Sequence, residues 1–261
     1  MYRFALRGRW LAGLVGLLVV TSVCVRLGVW QLDRRDERLA FNATVAERAE
    51  QLPAPFDVAL SEADGDPDAV EYRTVSATGT YDAEREFLIR ARSYQGSPGE
   101  HVVTPLVLDD GRAILVNRGF VPLVDPTAPV PEAAKPPAER VDVVGVARAP
   151  QAGGRFDPAS DGAQAAGTLG FITRVDVERV GRELPYDLVP LSIWIEDDRP
   201  DEAGVPIPLL PPELGEGPHL PYAIQWFGFA LVFLVGWGLL VRRHAAGLGR
   251  PSSNGRGTTA R

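Results

Sequence analysis

Only one cysteine, one methionine, one lysine and three histidines occur in 261 residues, and these scarcities exclude several kinds of chemistry. Cys24 lies inside an apolar run, so there is no intramolecular disulfide, no C-x-x-C redox pair and no C-x-x-C-H site for covalent haem. Met1 is the sole methionine, so the thiolate and thioether ligands expected of a periplasmic copper carrier are missing. No H-E-x-x-H or G-x-S-x-G is present, and a Ser-Lys dyad would have to use Lys135 in a proline-rich stretch, which argues against a hydrolase.

Acidic residues are absent from both ends of the chain. All 34 Asp and Glu fall in 33–218 beside 18 basic residues, a net −16, whereas the two ends hold nine arginines and no acid. So acidic a segment repels phosphate backbones, which argues against nucleic acid as a partner. Arginine in large excess over lysine, with abundant Ala, Gly and Pro, suggests a GC-rich bacterial source.

What is present is long apolar sequence. "YAIQWFGFALVFLVGWGLLV" from Tyr222 carries no charge until Arg242, and about 20 helical residues cross the ~30 Å hydrocarbon layer. A second run, Trp10 to Trp30, has an aromatic residue at each end, where the membrane interfaces would lie, and Arg26 near its outer end can snorkel. A cleaved signal peptide is the alternative for this run. However, no A-x-A-like site follows it, and Val23 before Cys24 makes a poor lipobox, so an uncleaved anchor is expected.

Arg242 and Arg243 place the C-terminus in the cytoplasm by the positive-inside rule, and two spans return the N-terminus there. The expected order is a cytoplasmic 1–9, a span at 10–32, an extracytoplasmic β-rich domain at 33–218, a span at 219–241, and a basic, disordered tail at 242–261.

Within 33–218, "YRTVSATGTY" (72–81), "REFLIRAR" (85–92), "EHVVTPLVL" (100–108), "GRAILVNRGFVPL" (111–123), "RVDVVGVAR" (140–148) and "LVPLSIWIE" (188–196) alternate as half-buried strands do. Asp109-Asp110-Gly111 reads as a hairpin turn, and Pro105 marks an edge strand or a bulge. A helix is expected over 173–184, with Pro/Gly-rich surface loops at 125–139, 150–167 and 197–218. The fold class is a membrane protein with two transmembrane α-helices flanking one extracytoplasmic, mainly antiparallel β domain, a barrel or sandwich with a short helix.

The three histidines differ. His101 beside Glu100 hints at acid/base work, yet neighbours in a strand point to opposite faces, so a solvated surface histidine is expected. His244 follows two arginines at a helix end, where a cation suits the macrodipole. His219 sits at the start of the second span, where the dipole favours neutral imidazole, the form that ligates metal or haem iron.

His219, Tyr222, Ala223 and Trp226 then share one helical stripe, against which a flat cofactor could lie. An ordinary aromatic belt accounts for the same residues. Small residues (Ala12, Gly13, Gly16; Gly228, Gly236, Gly238) would let the two helices pack on each other, or let either dock a membrane partner.

Four stretches in order resemble the surfeit locus protein 1 family of cytochrome c oxidase assembly factors. "LGVWQLDRRDERL" (27–39) is similar to its Gly-x-Trp-Gln-x-x-Arg signature through Gly28, Trp30, Gln31 and Arg34. "YRTVSATGTYD" (72–82), "GEHVVTPLVLDDGRAILVNRGFVP" (99–122) and "HLPYAIQWFG" (219–228) resemble its remaining blocks.

The resemblance implies a non-enzymatic chaperone of the cell inner membrane that binds haem a as cargo and supports its insertion into oxidase subunit I. It implies His219 as the haem-iron ligand, with Tyr222 and Trp226 lining the cofactor. Subunit I, the lipid bilayer and, as a further candidate, haem a synthase are the partners. The alternative is a membrane scaffold that binds oxidase polypeptides without haem. "VNRGF" (116–120) invites a partner-contact reading, against which a turn using Gly119 is preferred.

Overall fold

The first helix, α1 (Arg9–Ala49), runs unbroken for 41 residues in the computed structural model. That is about 60 Å, twice the hydrocarbon thickness, so the helix continues well past the apolar run. Strong helix formers occupy 31–49, and Arg34 pairs with Glu37 one turn on. The structure describes residues 8–122, 132–150, 171–172, 177–197 and 204–248. Residues 125–131, 151–167 and 198–203 of the expected loops, 173–176 of the expected helix and the tail beyond 248 lie outside them.

The chain divides into two units, Met1–Asn42 with Leu214–Arg261, and Ala43–Glu213. In the first, α1 packs antiparallel to α5 (His219–Leu248), a helix that tolerates Pro221 because the first turn has no intrahelical partner for that N–H. Trp10 lies 5.7 Å from Trp237 and 4.7 Å from His244, ring to ring. A Cβ on Gly13 would come within 2.7 Å of the Trp237 ring, and one on Gly28 within 2.7 Å of Phe227. So these two glycines serve helix pairing, whereas Gly16, Gly228, Gly236 and Gly238 meet nothing within 4 Å. Both helices are long and apolar enough to cross a membrane, and most of their apolar side chains are exposed.

The second unit begins with β1 (Ala54–Pro55), α2 (Phe56–Glu62) and α3 (Pro67–Val70). Then come β2 (Thr74–Tyr81), β3 (Phe87–Tyr94), β4 (Ser97–Leu108), β5 (Ala113–Pro122), β6 (Arg140–Arg148), β7 (Phe171–Ile172), α4 (Val177–Gly181) and β8 (Leu188–Trp194). Pairing runs β2-β6-β8-β5-β4 and returns from β4 to β2, a closed five-stranded circuit that takes the barrel alternative. Every pair in the circuit is antiparallel except β5 with β8. Closure brings Gly79 so near β4 that a Cβ would sit 2.4 Å from the Val107 carbonyl oxygen.

Three expectations need correction. First, β5 is buried on both faces. Ile114 and Val116 enter the barrel core with Val75, Leu106 and Leu191, while Leu115 joins Phe87, Ile89 and Val180 under α4. Each fully buried side chain of this size contributes about 1.5–3 kcal/mol.

Second, Pro105 lies in an interior strand. It sits between Val103, paired with Phe87 of β3, and Leu106, paired with Tyr81 of β2, where the neighbour changes and a ladder donor is dispensable. Its carbonyl accepts the Asp82 N–H at 2.9 Å.

Third, "VNRGF" is a bulge within β5, not a turn. Gly99 to Val102 pair with Pro122 to Gly119, Val103 pairs with Asn117, and Arg118 is the extra residue. Gly119 has φ +130°, and a Cβ there would lie 2.2 Å from the Ile207 carbonyl oxygen. The hairpin at Asp109-Asp110-Gly111 is as expected, with Leu108 N–H donating to the Arg112 carbonyl at 2.8 Å.

Candidate functional site

His219 is the first residue of α5, and its ring reaches α1. Nδ1 lies 3.0 Å from the carboxamide oxygen of Gln31 in a half-buried contact. An amide oxygen only accepts, so Nδ1 is the donor, and the tautomer this contact selects is the one that leaves the lone pair on Nε2. Nε2 has no hydrogen-bond partner among the described residues. Its edge faces Gly217, where a Cβ would stand 3.3 Å away, and Gly217 also adopts φ +69°. A side chain at 217 would therefore both strain the backbone and crowd the free nitrogen.

The approach to His219 is tied to α1 one turn at a time. The Arg35 guanidinium donates to Glu216 at 2.8 and 3.1 Å. Arg38 Nε donates to the Gly215 carbonyl at 3.2 Å, and Asn42 Nδ2 to the Leu214 carbonyl at 3.0 Å. Residues 28, 31, 35, 38 and 42 recur at helical spacing, so a single face of α1 receives Phe227, His219 and residues 214–216 in succession.

The other two expected site residues are placed less closely. Tyr222 is 49% exposed, and no hydrogen bond or ring contact joins it to His219 among the described residues. Trp226 is partly buried with its ring edge-on to Phe229 at 5.9 Å. Ala223 and Ala230 are the buried residues of this face. The stripe is therefore split, with His219 turned to α1 and Tyr222 open to the surroundings.

Gln31 was visible in the sequence only as a letter of the family-like signature. Its role needed the register of α1 against α5. Of that signature, Gly28 seats Phe227 and Gln31 holds His219, while Trp30 is exposed and Arg34 pairs along its own helix.

His101 departs from its expected solvated state. Glu100 does point away, pairing with Arg90 at 3.0 Å, but the imidazole turns inward against Phe120 and Trp194. The Asn117 carboxamide lies 3.3 Å from Nδ1. Because Asn117 Oδ1 accepts the Gly119 N–H at 3.2 Å, it is the amide NH₂ that faces the ring. So Nδ1 of His101 accepts and Nε2 carries the proton. Burial, then the positive charge of Arg92, pushes His101 down to about 4, and the ring stays neutral at ordinary pH. Strand alternation could assign its face but not what that face covers.

Sequence comparison supplies the family. The SURF1 family profile matches residues 18–231. An uncharacterized SURF1-like protein of Mycobacterium bovis is 28% identical over 239 residues, 90% of this chain and 84% of that protein. A SURF1-like protein of Monosiga brevicollis is 29% identical over 246 residues, 87% of each. Surfeit locus protein 1 of Mus musculus is 35% identical over 124 residues, 41% of this chain and 38% of the mouse protein. With the profile running from the first long helix through the β unit into the second, the chain belongs to the SURF1 family.

Proposed function

We propose that this protein is a membrane-anchored, non-enzymatic assembly factor for a haem-copper cytochrome c oxidase, which holds haem a through His219 and passes it to subunit I. Family membership supports the assembly role. The observation that carries the haem part is the His219–Gln31 contact at 3.0 Å, which leaves Nε2 without a hydrogen-bond partner among the described residues. A neutral histidine with one nitrogen donating to an amide and the other free is the donor set a haem iron takes. Tyr222 and Trp226 would flank the macrocycle with their rings. Haem a synthase is the class of partner that would deliver the cargo.

In this reading the spans are 10–32 and 219–241, both termini are cytoplasmic, and the acidic β unit faces the periplasm. The arginines flanking the spans support that orientation.

The test is to express the protein in cells that make haem a, purify it in mild detergent and record its spectrum. Wild type is expected to carry haem a and His219→Ala to lose it. Equal haem in both would overturn the ligand assignment. Co-purification of subunit I without haem, unaffected by His219→Ala, would favour the scaffold that binds only oxidase polypeptides.

A further inference from the structure

The β unit holds an open cavity of about 240 Å³ whose wall includes Tyr94, His101, Phe120, Arg148, Trp194 and Glu196. The rings are arranged as a cup. His101 stands edge-on to Phe120 (6.4 Å, 80°) and to Trp194 (6.3 Å, 83°), and Tyr94 is 5.7 Å from Phe120. Residues 207–209 close one side, bridging Phe120 to Ile207 and Glu196 to Leu209.

The polar groups in this wall are matched on one side only. Glu196 is paired with Arg148 at 2.8 Å, and the Arg148 guanidinium lies over the rings of Tyr72 (4.4 Å) and Trp194 (4.9 Å). The carboxylate and the cation-binding ring faces are thus already used by the protein's own arginine, which removes a cationic ligand from consideration. A metal is also excluded, since no group of three His, Cys, Asp or Glu able to hold one occurs among the described residues.

What is left over is donors. His101 Nε2–H has no acceptor among the described residues, and Trp194 Nε1 and Arg148 Nε are buried with none. Trp194 Nε1 and Arg148 Nε are closed off from the cavity, so the N–H that its wall offers is that of His101, which favours a ligand supplying an acceptor. Arg92, whose charge acts on His101, adds positive potential.

We propose that this cavity binds a small, flat, apolar molecule carrying a carbonyl or carboxylate oxygen, which accepts from His101 Nε2–H while its ring packs against Phe120 and Trp194. Asn117 acts as the positioning residue, since its amide NH₂ on Nδ1 keeps the proton on the nitrogen that the ligand meets.

The experiment uses the full chain in mild detergent with two probes, 4-fluorobenzoate and its neutral counterpart 4-fluorobenzamide, followed by ligand fluorine NMR. At least one is expected to bind saturably with a Kd of about 1 mM or tighter. Benzoate alone would assign a carboxylate, and both together a carbonyl. In ¹⁵N-histidine spectra the His101 Nε2 resonance should move with the titration while those of His219 and His244 stay still.

His101→Phe, which retains a ring against Phe120 and Trp194, should weaken binding about tenfold or more, the worth of a hydrogen bond to a buried donor. Should that variant fail to fold, Trp194→Phe and the wild-type ¹⁵N titration serve in its place. Absence of saturation by either probe up to about 10 mM, an unmoved His101 resonance, or unchanged binding in a folded His101→Phe protein overturns the proposal.

Discussion

His219 and Gln31, 188 residues apart in the chain, meet at 3.0 Å through imidazole Nδ1 and carboxamide oxygen, joining the start of α5 to the middle of α1. In the β unit the arrangement is reversed, with His101 Nδ1 accepting from Asn117. Two of the three histidines are thus held as opposite tautomers, each by a carboxamide.

Gln31→Leu removes the acceptor from His219. ¹⁵N-histidine NMR of the haem-free protein should show His219 leave the Nδ1–H form for the Nε2–H form, with His101 unchanged as an internal control. If the His219 nitrogens resonate as in wild type, Gln31 does not orient the ring. In haem-loaded protein the same change is expected to weaken retention roughly 10- to 100-fold, as loss of a ligand's outer partner does at other metal sites.

Gly28→Val should destabilise the helix pair and Gly16→Val should not. Both add the same β-branched side chain to the same helix, but only at 28 does the new Cβ fall within 2.7 Å of Phe227. Overpacking of this kind costs about 1–3 kcal/mol, so the Gly28 variant should melt several degrees below the Gly16 variant in detergent. Equal melting temperatures would mean that Gly28 and Phe227 are not in contact.

Arg118→Met should be among the most damaging substitutions in the β unit. Arg118 is 7% exposed, donates to Glu86 at 2.5 Å, to Thr104 at 2.8 Å and to the Ala134 carbonyl at 2.6 Å, and lies over Tyr81. Removing it strands the Glu86 carboxylate, at a cost of about 3–5 kcal/mol. Arg118→Met combined with Glu86→Leu should lose less than the sum of the two singles in denaturant unfolding, and strict additivity would show that the two charges do not depend on each other.

Acid should lower the stability of wild type relative to His101→Phe. His101 is held near 4 against an ordinary 6.5, so between these values the unfolded chain binds a proton that the folded chain does not. Stability from this group is complete above about pH 6.5 and is lost as pH falls towards 4, by ~2–3 kcal/mol. Glu196, raised mainly by burial and lowered in part by Arg148, slopes the other way but is present in both proteins. The melting temperature of wild type should therefore fall steadily relative to that of His101→Phe from pH 7 to pH 4. A constant difference would place the imidazole in solvent.

Much of the fold was legible because it depends on local period. The two apolar helices, the six strands, the Asp-Gly hairpin and a short helix near Val180 all follow from residues within one or two turns of each other. Misreadings arose where a neighbour distant in sequence intervened. Pro105 was expected at an edge or a bulge because a missing N–H is harmless there, yet the switch from β3 to β2 makes it equally harmless inside a strand. "VNRGF" carries a glycine as turns do, but Gly119 serves a bulge opposite Ile207. His101 was expected to be solvated because alternation gives a face, not its cover.

By itself the sequence determined the composition-borne properties: two membrane-length helices, an acidic middle between arginine-rich ends, and a single cysteine, methionine and lysine. These are sums over residues or short-range patterns, so no contact had to be known, and that the chain is no hydrolase remains an expectation drawn from missing motifs. Only the tertiary structure decided that Gln31 is the residue beneath His219, that β2 closes onto β4, and that His101 lines a cavity with no acceptor for Nε2–H among the described residues. Each of these depends on the register of one element against another far away in the chain, where a shift of a single residue would present a different side chain.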